Sequence, residues 1–322
     1  MHFTRILAAA GAALAMAGAV HAAQPYPDRP IRLVVPWPAG GSSDAAARIV
    51  ARHLQDRLKQ PVIVDNKAGA SGNIGVDAVA KAAPDGYTLL LSSGPFSINP
   101  SLYKSLPFDT VRDFVPVAQF ASIPSVLVVH PSLPASTMQE FVALARNPAR
   151  PLAVATAGNG SAQHLALELL RKKAGLSITH VPYKGGALAL NDVLGGQVPA
   201  MMSGFPEVAA YVKSGKLKAL AVTSPGRSAF LPGVPALMEL GLADSGTAGW
   251  NGLHVPARTP PEIVNRLHAE VNAVLEMPEV REQLAALGFE VRRSTQKEFA
   301  DFVAQQIARW KEAVVLSGAQ VD

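Results

Sequence analysis

Two stretches of this chain gather residues that could do chemistry. In Ala157-Gly158-Asn159-Gly160-Ser161 a glycine turn leads into a predicted helix over 162–174. Ser161 and His164 stand three apart on one face of that helix, a spacing open to a nucleophile and its base. A triad also needs a third, orienting group and a geometry that one helical turn seldom supplies. His164 can equally contact a ligand or pack within its helix. The second stretch is Trp37-Pro38-Ala39-Gly40-Gly41-Ser42-Ser43. Its glycines allow a sharp turn and a close ligand approach. Ser42 or Ser43 is placed to cap the helix that follows. A helix N-terminus behind a turn of this kind has unpaired N–H groups and the positive end of a dipole, so both stretches favour an anion. Each also reads as an ordinary β–α turn.

Other familiar chemistry is missing. There is no cysteine, which removes thiol catalysis, Fe–S clusters and Cys-ligated zinc. Gly158 to Gln163 fails the dinucleotide fingerprint at its last position, and no serine sits in a G-x-S-x-G elbow or a P-loop. The eight histidines are dispersed, with no H-E-x-x-H, so neither a metal nor a cofactor is expected. Basic residues are scattered, which argues against nucleic-acid binding. The formal charge is +5; without Arg5 it becomes +4, from 28 basic and 24 acidic residues. That mild balance suits an anionic small ligand.

The elements that position these turns follow a parallel-sheet rhythm. Ile31–Val35 is a β-branched apolar run, read as a buried strand. A helix runs to about Lys59, with Asp44 and Arg48 paired four apart. Pro61–Asp65 is a strand, Gly75–Ala82 a helix and Tyr87–Leu91 a third strand, closed by Ser92, Ser93 and Gly94. Ligands of such sheets bind beyond the carboxyl ends of the strands, so Ser92 and Ser93 are candidate donors. Asn99–Phe114 reads as a connection. Val115–Val129 reads as a strand that leaves the first domain, broken at Ser122–Ser125. The β-α-β pattern then repeats: strands at 152–156, 178–181, 198–202 and 219–223, helices at 136–146, 162–174, 187–194 and 205–214. Thr156 ends one strand and Ser203 another; Met201 and Met202 read as core, and Lys184 as a possible anion partner in a turn. Gly249–Val255 returns to the first domain, and helices over 260–275, 278–287 and 295–315 follow. The expected architecture is α/β, two domains with the chain crossing twice. Roughly 300 residues suit two domains.

The N-terminus reads as an export signal. Arg5 gives a positive start, Ile6–Val20 an apolar core, and Val20-His21-Ala22 a cleavage site after Ala22. Residues 1–22 are thus assigned to a signal peptide, and the rest of the chain to the periplasm.

Several long motifs occur in a familiar order: YPDRPIRLVVPWPAGGSSDAAAR, AGASGNIGVDAVAKAAPDGYTLL, YKGGALALNDVLGGQV, GKLKALAVTS and WNGLHVPARTP. With these, the chain from about Tyr26 onward resembles the Bug, or tripartite tricarboxylate transporter receptor, family of periplasmic solute-binding proteins. The resemblance implies a two-lobed Venus flytrap of the type II periplasmic-binding-protein architecture, with lobe 1 over 23–124 and 246–322 and lobe 2 over 125–245. Hinges are expected near Ser122–Ser125 and Ser245–Trp250. It implies a carboxylated ligand held by backbone N–H groups, hydroxyls and water. Mapped here, the site is Trp37, Pro38, Ala39, Gly40, Gly41, Ser42 and Ser43 with Ser92 and Ser93, facing Thr156, Asn159, Gly160, Ser161 and His164, with Ser203 alongside. Relatives resemble one another in carrying an Asp where this chain has Ser203, so a plain carboxylate is expected over an amino acid. The implied protein is a monomeric receptor, not an enzyme, that serves membrane transporter subunits or a sensor protein. A Ser/His hydrolase and a moonlighting envelope protein are the alternatives.

Overall fold

The structure, a computed structural model, describes residues 26–183, 185–243 and 248–318. The expected leader, Lys184 and residues 245–247 of the expected hinge lie outside the described residues. The first strand, β1 (Ile31–Val35), buries Leu33, Val34 and Val35 completely, as its β-branched run requires. Helix α1 (Ser42–Leu58), β2 (Val62–Asn66), α2 (Asn73–Ala80) and β3 (Thr88–Ser93) complete a β-α-β-α-β unit. Strand β1 lies between β2 and β3, both parallel to it, so Val35, Asn66 and Ser93 end at one edge.

The connection expected over Asn99–Phe114 begins instead inside a helix, α3 (Gly94–Leu102). Pro95 sits in its first turn, where no N–H is needed. Burial of Phe96, Ile98 and Leu102 overrides the turn-like Asn-Pro-Ser composition and the proline at 100.

Strand β4 (Phe114–Val129) is one unbroken strand of 16 residues. What changes at the expected break is its partner. Further along the chain come α4 (Met138–Ala145), β5 (Leu152–Thr156), α5 (Ala162–Ala174), β6 (Ile178–Pro182), α6 (Gly186–Leu194), β7 (Ala200–Gly204), α7 (Phe205–Lys213) and β8 (Lys218–Val222). Then follow β9 (Ala248–Pro256), α8 (Pro261–Glu276), α9 (Pro278–Ala286), β10 (Glu290–Val291) and α10 (Gln296–Ser317). Up to Pro124, β4 pairs antiparallel with β9; from Ser125 it pairs antiparallel with β7, and from Val126 also with β8. Pro124 has no N–H to donate, so the ladder can change hands there. The sheet path is β2-β1-β3-β9-β4-β7-β5-β6. Strand β5 lies between β6 and β7, parallel to both, so Thr156, Pro182 and Gly204 also end at one edge.

Each strand set is packed on both faces. Leu127, Phe141, Leu167, Leu170 and Met202 fill one side of the second set, and Val126, Ala189, Val193, Met201 and Val208 the other. Met201 and Met202 are core, as read from the sequence. A further cluster joins the halves: Leu102 and Ile98 of α3, Leu165 of α5, and Trp310, Ala313 and Val314 of α10. Helix α10 is about 33 Å long at 1.5 Å per residue, long enough to lie across both. Its start carries the expected Thr295 cap, closed into a capping box by Glu298.

Candidate ligand-binding site

The turn after β1 is braced from within the helix that it opens. Ser42 and Ser43 do not cap α1, contrary to expectation; the N-cap is Gly41, without a side-chain bond. The turn is held instead by Asp44, which is almost fully buried. Its Oδ2 accepts from Gly40 N–H at 2.9 Å and from Arg48 Nε at 3.0 Å, and its Oδ1 accepts from Asn66 Nδ2 at 2.9 Å. Burial pushes the Asp44 carboxyl up, but Arg48, the Gly40 N–H and Asn66 together hold it below its ordinary value. Asn66 also donates to Trp37 C=O at 3.0 Å, so the end of β2 holds the turn after β1. The first N–H with an acceptor inside the helix is that of Ala45, on Gly41 C=O at 2.9 Å. The N–H groups of Ser42, Ser43 and Asp44 therefore have no intrahelical acceptor, the condition under which a helix start favours an anion. Trp37, Pro38, Ala39, Gly41, Ser42 and Ser43 line an open cavity of about 320 Å³ over this turn.

The two candidate serines at the end of β3 are committed elsewhere. Ser92 is 1% exposed; its Oγ donates to Gly252 C=O at 3.1 Å and lies 2.8 Å from His254 Nδ1. Ser93 Oγ accepts the Trp37 indole N–H at 3.2 Å. Ser92 thus ties β3 to β9, and Ser93 positions the tryptophan at the cavity rim. Complete burial among Phe96, Phe114 and Phe299 pushes His254 down to about 3. The Ser92–His254 pair is a neutral core contact, closed to substrate.

The second turn does carry its predicted cap. Ser161 Oγ accepts His164 N–H at 3.1 Å. His164 Nδ1 in turn accepts Gly160 N–H at 3.1 Å, so the two side chains brace the turn without bonding each other. A nucleophile–base pair needs Ser161 Oγ on an imidazole nitrogen, and this geometry does not supply it. Thr156 is fully buried, 2.7 Å from His180 Nε2, and its Oγ1 accepts Gly158 N–H at 3.3 Å. The His164 and His180 rings stack at 4.0 Å, and burial lowers both; His180 falls to about 4, helped by His164. Gly158 has φ +140°, and a Cβ there would meet Tyr183 C=O at 2.7 Å. Only glycine fits. Asn159 is exposed at the tip.

The second turn abuts α3 at Gly160, where an added Cβ would stand 3.4 Å from Leu102. The residues of the second turn do not line the cavity over the first. Ser203, 1% exposed at the end of β7, donates to Glu207 Oε2 at 2.8 Å. A carboxylate is therefore present one helical turn beyond Ser203. Sequence reasoning also missed Asn66, His180 and His254. Asn66 follows from the strand-end rule, and Glu207 from its i+4 spacing to Ser203; the two histidines left no pattern.

Two parallel strand sets, each with a glycine turn opening a helix at its carboxyl edge and joined through β4, have the α/β architecture of solute-binding proteins. A family model described as tripartite tricarboxylate transporter family receptor matches residues 46–318. The chain is 42% identical to Protein BugT of Bordetella pertussis over 327 positions, covering 100% of both chains. It superposes on a TctC solute-binding protein from Polaromonas with TM-score 0.83 at 36% identity, covering 90% of this chain and 99% of that one. The corresponding values are 0.76, 33%, 92% and 100% for a Rhodopseudomonas palustris protein solved with adipate. They are 0.71, 32%, 90% and 100% for MatC of the same organism with bound malate. The chain belongs to the tripartite tricarboxylate transporter receptor, or Bug, family, as its motifs imply. The relatives it matches are solute-binding receptors rather than enzymes.

Proposed function

We propose that this protein is a periplasmic receptor that captures a small carboxylated metabolite between two lobes. The observation that carries the reading is the first turn. Three backbone N–H groups at the start of a 17-residue helix are left without intrahelical acceptors; Ser42 and Ser43 among them line an open cavity, and a buried Asp44 braces the turn. The second turn opens a 13-residue helix and would meet the ligand from the other side. Related proteins solved with adipate and malate support a carboxylate as the ligand class.

In this reading lobe 1 is 23–124 with 246–322, and lobe 2 is 125–245. Closure would turn about the handover of β4 at Pro124–Ser125 and the start of β9. The ligand site comprises Trp37 to Ser43 with Asn159, Gly160 and Ser161; Thr156, His164, Ser92 and Ser93 support it from behind. The cargo would pass to membrane subunits of a transporter or be reported to a sensor.

The test is a thermal-shift screen of the chain from residue 23 against mono- and dicarboxylates, keto acids and amino acids. A ligand at 100 times its dissociation constant adds about 2.7 kcal/mol. Gly41 has an ordinary φ of −75°, and a Cβ there would have only Pro38 C=O nearby, at 3.8 Å. Gly41→Val should therefore fold and lose the shift. A carboxylate shift that survives Gly41→Val would refute the placement. Gly160→Val is a poorer probe, because Gly160 has φ +71°.

A further inference from the structure

Glu207 stands at the start of α7, where the chain leaves the carboxyl edge shared by β5, β6 and β7. Two contacts fix its place, and a third shows which helix neighbours it. Its Oε2 accepts the hydroxyl of Ser203, a residue with 1% exposure at the end of β7. Its carboxylate fills the space beside Gly186, the first residue of α6: a Cβ built there would fall 2.1 Å from Oε2 and 2.6 Å from Oε1. Gly204, just before α7, lies so close to α5 that its Cβ would stand 3.8 Å from Gln163 Nε2, in the turn after Ser161. The carboxylate thus sits at the edge that carries the second anion-favouring turn, and glycine at 186 makes room for it. It remains exposed, so it is available to a ligand. It also occupies the positive end of the α6 dipole, where a second ligand carboxylate would otherwise be welcome.

We infer that Glu207 is the specificity-determining acid of the cleft, selecting ligands with a carboxylate at one end and a hydrogen-bond donor at the other. An ammonium or hydroxyl at the far end can donate to this carboxylate. A second carboxylate there meets a like charge held in place by Ser203 and Gly186, and is repelled. The inference rests on the proposed carboxylate site and adds to it the class of ligand, ω-amino or ω-hydroxy acids over dicarboxylates.

The probes are two matched sets that differ only at the far end. One is butyrate, γ-aminobutyrate, γ-hydroxybutyrate and succinate; the other is hexanoate, ε-aminohexanoate, ε-hydroxyhexanoate and adipate. Dissociation constants are measured by titration calorimetry on wild type, Glu207→Gln and Ser203→Ala. In at least one set, wild type should bind the amino or hydroxy acid at least tenfold more tightly than the dicarboxylate. Glu207→Gln should shrink that ratio at least tenfold while binding of the plain monocarboxylate changes less than threefold. Ser203→Ala keeps the carboxylate and should keep the order, which separates charge from a loosened fold. Monocarboxylate binding intact with an unchanged ratio in Glu207→Gln would overturn the role of Glu207 and leave the carboxylate site standing. No binding of any probe to wild type would overturn both.

Discussion

Removing the Asp44 carboxylate tests whether the first turn is built as described. In Asp44→Ala three donors lose their acceptor: Gly40 N–H, Arg48 Nε and Asn66 Nδ2. They do not count equally. The Arg48 side chain is 51% exposed, so water replaces its partner and the pair contributes about 0–1 kcal/mol. Asn66 and Gly40 lose charge-assisted bonds to a group that is itself 3% exposed in its side chain, about 1–1.5 kcal/mol each. The expected loss is roughly 2–4 kcal/mol, a fall in Tm of roughly 3–6 °C for a chain of this size. The sign of the pH dependence follows from the lowered Asp44 pKa. A carboxyl whose folded pKa lies below its unfolded value stabilises above the unfolded value and loses that contribution as pH falls through the folded one. The deficit of Asp44→Ala should therefore be constant from pH 7 to about 4 and shrink below that. The assay is paired thermal or urea unfolding across that range, with carboxylate binding followed at pH 7. A Tm within 1 °C of wild type at pH 7 would refute the brace, and a deficit that grows below pH 4 would refute its electrostatic origin.

Three further outcomes follow from individual contacts. Gly158→Ala forces a Cβ against Tyr183 C=O in a left-handed conformation and should cost about 1–3 kcal/mol, read by urea unfolding, with carboxylate affinity reduced as well. His180 and His254 have folded pKa values of about 4 and about 3, below the unfolded 6.5, so their contribution is whole above pH 6.5 and lost as pH falls. At pH 5 each should cost about 2 kcal/mol relative to pH 7, and His254→Gln should flatten the stability–pH profile over that range. Gly252→Ala would drive a Cβ to 2.2 Å from the Phe299 ring, which is buried against Trp250 and His254, and should lower Tm more than Gly41→Ala does.

Strand and helix positions were legible wherever period and punctuation agreed. Ile31–Val35 and Leu152–Thr156 were read to the residue, as was the helix Ala162–Ala174, because a buried β-branched run or a Ser cap and closing glycine marks each end. Helix α3 was hidden because two prolines and an asparagine mask an apolar face that shows only once Phe96, Ile98 and Leu102 find their partners. The first turn was located correctly but its brace was misassigned. Ser42 and Ser43 match the cap rule locally, whereas Asp44 wins because Asn66, 22 residues away, completes its acceptor set. The same holds for Ser92, whose partner His254 lies 162 residues on. Local chemistry reads from one strand of sequence; a hydroxyl's allegiance depends on what the sheet places across from it. Glu207 shows the same limit, since its bond with Ser203 is one that the spacing allowed but did not demand.

The central claim is that a ligand carboxylate is held by the backbone of the two turns. Its most direct test is a titration of the best carboxylate from the screen against its own primary amide, which has the same shape without the charge. The acid should bind at least a hundredfold more tightly than the amide, and this difference should vanish in Gly41→Val. Equal affinity for acid and amide in the wild-type protein would contradict it.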